Sequence, residues 1–196
     1  MKLPHSFYLR SSVTSIAREL LGKLLVTNID GTITSGIIVE TEAYSWRERG
    51  CHAYGKRQTL RNSVMFGLGG VAYVYLCYGI HHLFNIVTNA TGAPEAVLVR
   101  AVQPRDGIDM MMERMDTTKL NRITSGPGKV SKALGINRSL TGTDLTGDTI
   151  WLLDDALLIK RSDIVATTRV GIDYAGADAL LPWRFYLKNN DWVSVR

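Results

Sequence analysis

The chain has 196 residues, 45% of them hydrophobic and 8% aromatic, with a formal net charge of +5. That length suits one domain with a real core and is short for two. No apolar run approaches the ~20 residues of a membrane span, no long apolar leader opens the chain, and two cysteines make no disulfide framework, so a reducing cytoplasm is the expected compartment.

Ser11 or Ser12 can cap a first helix, because the segment SIARELLGKLL carries helical apolar spacing that Gly22 interrupts or ends. Residues 24–27 and 32–42 read as strands around an Asp30-Gly31 turn. Residues 45–62 are polar and punctuated by glycine, which predicts a loop with room for a short helix. Residues 73–78 and 84–88 read as a hairpin pair, and 96–102 as another strand. A helix is expected over 106–115, with Met110, Met111, Met112 and Met115 as core filler. GPGKVSKALGI (126–136) reads as a glycine turn opening a short helix, and 149–153, 164–170 and 184–187 as strands. Helices and strands do not alternate regularly. The pattern predicts an α+β fold, one mixed domain over residues 1–196 with a largely antiparallel sheet.

Charge is unevenly placed. Arg47, Arg49, Lys56, Arg57 and Arg61 crowd one loop region, where they could neutralise phosphates, whereas residues 144–155 are acidic. Glu40 and Glu42 are two apart on a strand, so they share a face at about 6–7 Å. After the apolar run Ile37 to Val39 they read as two exposed acids at the end of a buried strand, either of which could act as a general base. Two facing carboxylates also suit a glycoside hydrolase, with Trp46 as a sugar platform, although a neutral glycan does not need the basic loop. Tyr73 and Tyr75 share one strand face, whereas Tyr78 has the opposite parity and meets Gly79 at a hairpin tip. An aromatic at such a tip could enter a base stack. Cys51-His52, His81 and His82 lack partners at metal-ligand spacing, so no metal and no other cofactor is expected. GPGK could offer backbone N–H groups and Lys129 to a phosphate, although a structural turn explains it as well.

The segments IVETEAY, HAYGKRQTLRN, Met65-Phe66, AYVYLCYGIHHLFNI, AVLVRAVQP, SGPGK and RFYL, with WVSV near the C-terminus, together resemble the alkyladenine (3-methyladenine) DNA glycosylases of the animal type, in their compact bacterial form. The segments occur in the family's order and span nearly the whole chain. The resemblance implies a curved antiparallel sheet with a protruding β-hairpin. It implies base excision repair: a damaged purine is flipped from double-stranded DNA and its N-glycosidic bond is hydrolysed, leaving an abasic site. It assigns Glu42, not Glu40, to the attacking water, and Arg100 to holding that water. Tyr44, His52 and Tyr75 match the walls of the base pocket, and Asn85 matches the floor residue that clashes with the 2-amino group of guanine. Tyr78 matches the intercalating wedge. Arg57, Asn62 and Lys129 are assigned to the DNA backbone. No matching lysine nucleophile is present, so the enzyme is expected to be monofunctional, and a monomer suffices on one duplex site. Trp46 and Arg47, and His81 and His82 after the wedge, depart from the animal pattern and could alter which lesions are accepted. A non-catalytic DNA-binding module is the remaining alternative.

Overall fold

The computed structural model describes residues 1–154 and 159–195; Asp155, at the end of the acidic segment, lies outside that range. Two short helices open the chain, α1 (His5–Tyr8) and α2 (Val13–Glu19). The Ser12 side chain accepts a hydrogen bond from the Ser15 N–H and so caps α2, whose Val13, Ile16 and Ala17 form the buried stripe. Strands β1 (Leu24–Ile29) and β2 (Thr32–Ser45) follow, joined by Asp30-Gly31 with φ of +53° and +80°. Positive φ at both positions is what a two-residue hairpin turn needs. The hairpin of β3 (Ala72–Cys77) and β4 (His81–Thr88) comes next, then the long β5 (Glu95–Asp106). Helices α3 (Ile108–Met115) and α4 (Pro127–Ala133) precede β6 (Ile150–Leu153), β7 (Ile164–Thr167) and β8 (Arg184–Leu187).

These strands form one antiparallel sheet in the order β3-β4-β5-β2-β1-β6, with β8 also paired to β2 and β7 to β8. The architecture is the expected α+β domain. Alternation gives the sheet two unlike faces. On one face Ala43, Val74, Phe84, Ile86, Val97 and Val99 pack with Ile16, Ala17 and Leu20, and with Val130 and Ala133 of α4. Met111 joins this core fully buried, and Met112 and Met115 pack against it, as filler. The other face carries the site.

Strand β2 is where the sheet divides. One edge pairs with β5 from Ser35 to Ser45. The other edge pairs with β1 over Thr32 to Ile37, and then with β8 over Glu40 to Glu42. The two acids therefore lie in a segment flanked by strands on both sides. The β2–β5 register passes from Ile38↔Val102 to Glu40↔Ala101 and then Thr41↔Val99, so Val39 and Arg100 have no direct opposite number. One extra residue on each strand restores the alternation beyond the irregularity and leaves Arg100 beside both acids.

Strand β7 stops at Thr167, short of the expected Val170. The backbone beyond it serves other partners: the Val170 N–H donates to Glu42 Oε1 at 2.8 Å, and the side chain of Arg169 turns inward. No helix among the described residues is long and apolar enough to cross a membrane.

Candidate active site

Pairing across the sheet explains how distant residues meet. In antiparallel strands, opposed residues project to the same face. Tyr73 opposes Asn85, Asn85 opposes Leu98, Leu98 opposes Glu42, and Glu42 opposes Arg184. Tyr75, Tyr44 and Arg100 are two residues along from members of this row and share its face. They wall a cavity of about 640 Å³ together with His52 and Asn85. That volume falls in the usual range for a small-molecule site.

The rings are locked against one another. His52 meets Tyr75 edge-on, with centroids 4.5 Å apart, and its Nδ1 lies 2.9 Å from the Tyr73 hydroxyl. His52 is exposed as a residue, yet its ring packs against Tyr73 and Tyr75, and desolvation there, followed by the Arg61 charge, lowers its pKa to about 4. The ring is therefore neutral at physiological pH. The Asn85 amide donates to the Tyr73 and Leu83 carbonyls at 3.1 and 3.2 Å, which fixes its orientation on the cavity floor.

Behind the cavity lies a charge cluster. Both acids are fully buried, which corrects the expectation of two exposed carboxylates. The cause is the division of the sheet, which covers them with β5, β8 and the C-terminal segment. Glu42 Oε2 accepts from the Tyr44 hydroxyl at 2.7 Å, while Oε1 accepts from Val170 N–H and lies 3.3 Å from Arg100 Nη1. Glu40 Oε1 accepts from Arg184 Nη1 at 2.8 Å and Arg100 Nε at 3.2 Å; Oε2 accepts from Ser194 N–H at 2.7 Å. Burial opposes the Arg100 charge, but Glu42 and Glu40 outweigh it and raise its pKa. The Tyr44 hydroxyl is pushed well up, first by burial and then by Glu42, so it remains a donor. The two acids are thus unequal. Glu40 is sealed among structural partners, whereas Glu42 stands between Tyr44 and Arg100, both of which line the cavity.

Several supporting residues have no local signal in the sequence. Arg169 forks onto Glu48 with two 2.8 Å bonds, donates to the Ala43 carbonyl, and lies 4.8 Å from the Tyr44 ring centroid. It holds the cavity wall from behind. Arg184 could have been noticed as a cation opening the apolar RFYL strand, but its partner Glu40 is 144 residues away.

Tyr78 stands at the hairpin tip, 90% exposed with φ of +49°, followed by Gly79 at +75°. Arg57 and Lys129 are exposed, and Lys129 Nζ donates to the Arg122 carbonyl. Asn62 requires a correction. It is buried, its amide donates to the His52 and Arg57 carbonyls, and its Oδ1 accepts from the Thr59 N–H. It braces the basic loop instead of facing a DNA strand. Trp46 lies outside the cavity, with Arg47 and Lys56 within 4.4 and 4.6 Å of its ring, so it is no sugar platform. GPGK is the glycine turn that opens α4. Among the described residues no three His, Cys, Asp or Glu side chains converge on a metal-sized site.

A family model described as methylpurine-DNA glycosylase matches residues 6–191. The chain belongs to the methylpurine-DNA glycosylase family. It is 47% identical to a protein of Carboxydothermus hydrogenoformans over the full length of both chains. It is 42% identical to one of Desulfitobacterium hafniense, covering 100% of this chain and 99% of the relative. A Chlamydia felis relative is 45% identical over 94% of this chain and 95% of its own. All three carry the name "Putative 3-methyladenine DNA glycosylase". This methylpurine-DNA glycosylase is accordingly a hydrolase of base excision repair, and its substrate is DNA.

Two outcomes test this geometry. The folded-state pKa of His52 lies below its unfolded value of 6.5, so the stability it contributes is complete above about pH 6.5 and is lost as pH falls towards 4. An NMR titration should give His52 a midpoint near 4, and a midpoint at or above 6.5 would contradict the packing. Glu40→Ala leaves two buried guanidiniums without their common partner, and urea unfolding should show a loss of about 3–5 kcal/mol. A loss below ~1 kcal/mol would remove Glu40 from its structural role.

Proposed function

We propose that this glycosylase flips a damaged purine from double-stranded DNA into the cavity and hydrolyses its N-glycosidic bond with a water activated by Glu42. The single observation that carries this reading is the position of Glu42, at the back of an aromatic cavity and held by Tyr44, Arg100 and the Val170 N–H. A carboxylate offers about four lone-pair positions. Two hydrogen-bond donors, the Tyr44 hydroxyl and the Val170 N–H, converge on Glu42 with the Arg100 charge beside them, which leaves acceptor capacity for water. Glu42 takes a proton from that water as its oxygen bonds to the sugar C1′, and the C1′–N bond breaks with its electrons leaving on the base. The charge of Glu42 also favours the oxocarbenium-like sugar in the transition state. The product is an abasic site. No lysine is invoked, so the reaction is monofunctional.

Substrate choice follows from the cavity walls. Alkylation at N3 or N7, as in 3-methyladenine and 7-methylguanine, makes the purine cationic and a good leaving group. The faces of Tyr44 and Tyr75 favour such a cation. Neutral lesions, hypoxanthine and ethenoadenine, depend on fit between the rings and over the oriented Asn85 amide. Tyr78 fills the gap left in the duplex, since an exposed aromatic at a tip has no packing role. Arg57 and Lys129 take backbone phosphates. One duplex site needs one copy of the chain, so the enzyme works as a monomer, in the cytoplasm at the nucleoid.

The protein should convert a duplex carrying one hypoxanthine or ethenoadenine into an alkali-labile product. Binding without any strand break after alkali would mark a non-catalytic module. Tyr78→Ala should weaken binding to the lesion duplex about tenfold, or ~1.4 kcal/mol; unchanged affinity would count against the wedge.

A further inference from the structure

The Arg169 guanidinium lies against the base pocket without entering it. Its Nη1 donates to Glu48 Oε1 at 2.8 Å and to the Ala43 carbonyl at 2.9 Å. Its Nη2 donates to Glu48 Oε2 at 2.8 Å and to the Asp178 carbonyl at 3.1 Å. These four bonds fix the plane of the group. Both side chains of the ion pair are buried, and the Arg169 Nε is buried with no hydrogen-bond partner among the described residues. A buried ion pair with an unsatisfied donor stabilises a wall no better than apolar side chains of the same volume.

What an apolar side chain cannot supply is a charge on an aromatic ring of the site. The guanidinium carbon lies 4.8 Å from the Tyr44 ring centroid and 5.4 Å from that of Trp183. Tyr44 and Val170 line the cavity, but Arg169 does not. The charge therefore rests on the face of Tyr44 turned away from the cavity. Burial first, and then Glu42, raise the pKa of the Tyr44 hydroxyl, and Arg169 acts against both.

An aromatic ring attracts a cation through the negative charge of its faces. A guanidinium on one face draws that charge towards itself, so the opposite face holds a second cation less well. A purine in van der Waals contact with the front face lies roughly 8–9 Å from the guanidinium carbon. Buried charges at that range are little screened by salt. The other tyrosine wall is loaded in a similar way, with the Arg61 guanidinium 4.9 Å from the Tyr75 ring centroid.

We propose that Arg169, held by Glu48, is a specificity-determining residue: its charge weakens the hold of Tyr44 on cationic purines and shifts the pocket towards neutral lesions. The inference rests on the reading of Tyr44 as a wall of the base pocket, and it moderates the attraction of that ring for a cation. Cationic purines compensate as better leaving groups, whereas neutral ones depend on fit.

The readout is a ratio of affinities. Duplexes carry cationic 7-methylguanine or neutral hypoxanthine on a 2′-fluoroarabinose, whose fluorine disfavours the oxocarbenium-like sugar, so binding is measured without base release. An undamaged duplex is the reference. The double variant Arg169→Gln, Glu48→Gln removes the pair and should raise the 7-methylguanine preference over hypoxanthine about tenfold relative to wild type. Glu48→Gln alone keeps the shape of the side chain but leaves the guanidinium without its counter-charge. It should lower the same ratio by about threefold or more. A merely structural role weakens both lesion duplexes together. A ratio within ~twofold of wild type in either variant overturns the inference and leaves the pocket standing. A wild type that binds neither lesion more tightly than the undamaged duplex refutes the pocket reading, and the inference with it.

Discussion

Two carboxylates and two guanidiniums share a buried layer where β1 leaves β2 and β8 takes its place. Taking such charges out of water costs several kcal/mol per ion, and only well-formed hydrogen bonds offset it. Here every oxygen has a short partner: Arg100 and Arg184 on Glu40, Arg100 and a backbone N–H on Glu42, with Tyr44 and Ser194 N–H closing the rest. The cluster ties together β2, β5, β8 and the C-terminal segment. It stabilises the fold less than an apolar layer could, but it leaves one carboxylate fixed behind a cavity. Arg100 can touch both acids only because the strand irregularity gives it no opposite number.

The aromatic walls depend on that layer. Tyr44 reaches Glu42 with its hydroxyl and rests its ring on Arg169, which Glu48 holds in a fork. Tyr73 and Tyr75 meet His52 on the far side of the cavity. Most of these groups stand on strands, not loops, and their rotamers are restrained by neighbours, as a preorganised site requires. The hairpin tip is the opposite case: Tyr78 and Ile80 extend into solvent at 90% and 72% exposure, free to meet a partner.

Much of this was legible in the sequence where the physics is local. The period of two put Glu40 with Glu42 and Tyr73 with Tyr75, and the Asp30-Gly31 and Tyr78-Gly79 turns stood out by residue type. Family resemblance then separated roles that periodicity left equal. What could not be read was long-range. That β8 covers the two acids depends on a pairing between residues 42 and 184, and the fork of Arg169 on Glu48 spans 121 positions. Asn62 looked like a surface residue because its segment is polar, yet its amide is used up by the His52 and Arg57 carbonyls. Polarity alone does not tell a solvated amide from one that replaces missing backbone partners.

The central claim is that the two acids divide their labour, with Glu42 taking the proton from water. Single-turnover base release by Glu42→Gln, on a hypoxanthine duplex at saturating protein, tests it most directly. The amide keeps the size of the side chain and loses the base. The account predicts a rate lower by about 10²–10⁴-fold, with lesion-duplex affinity within a few-fold of wild type. Release at the wild-type rate would contradict it.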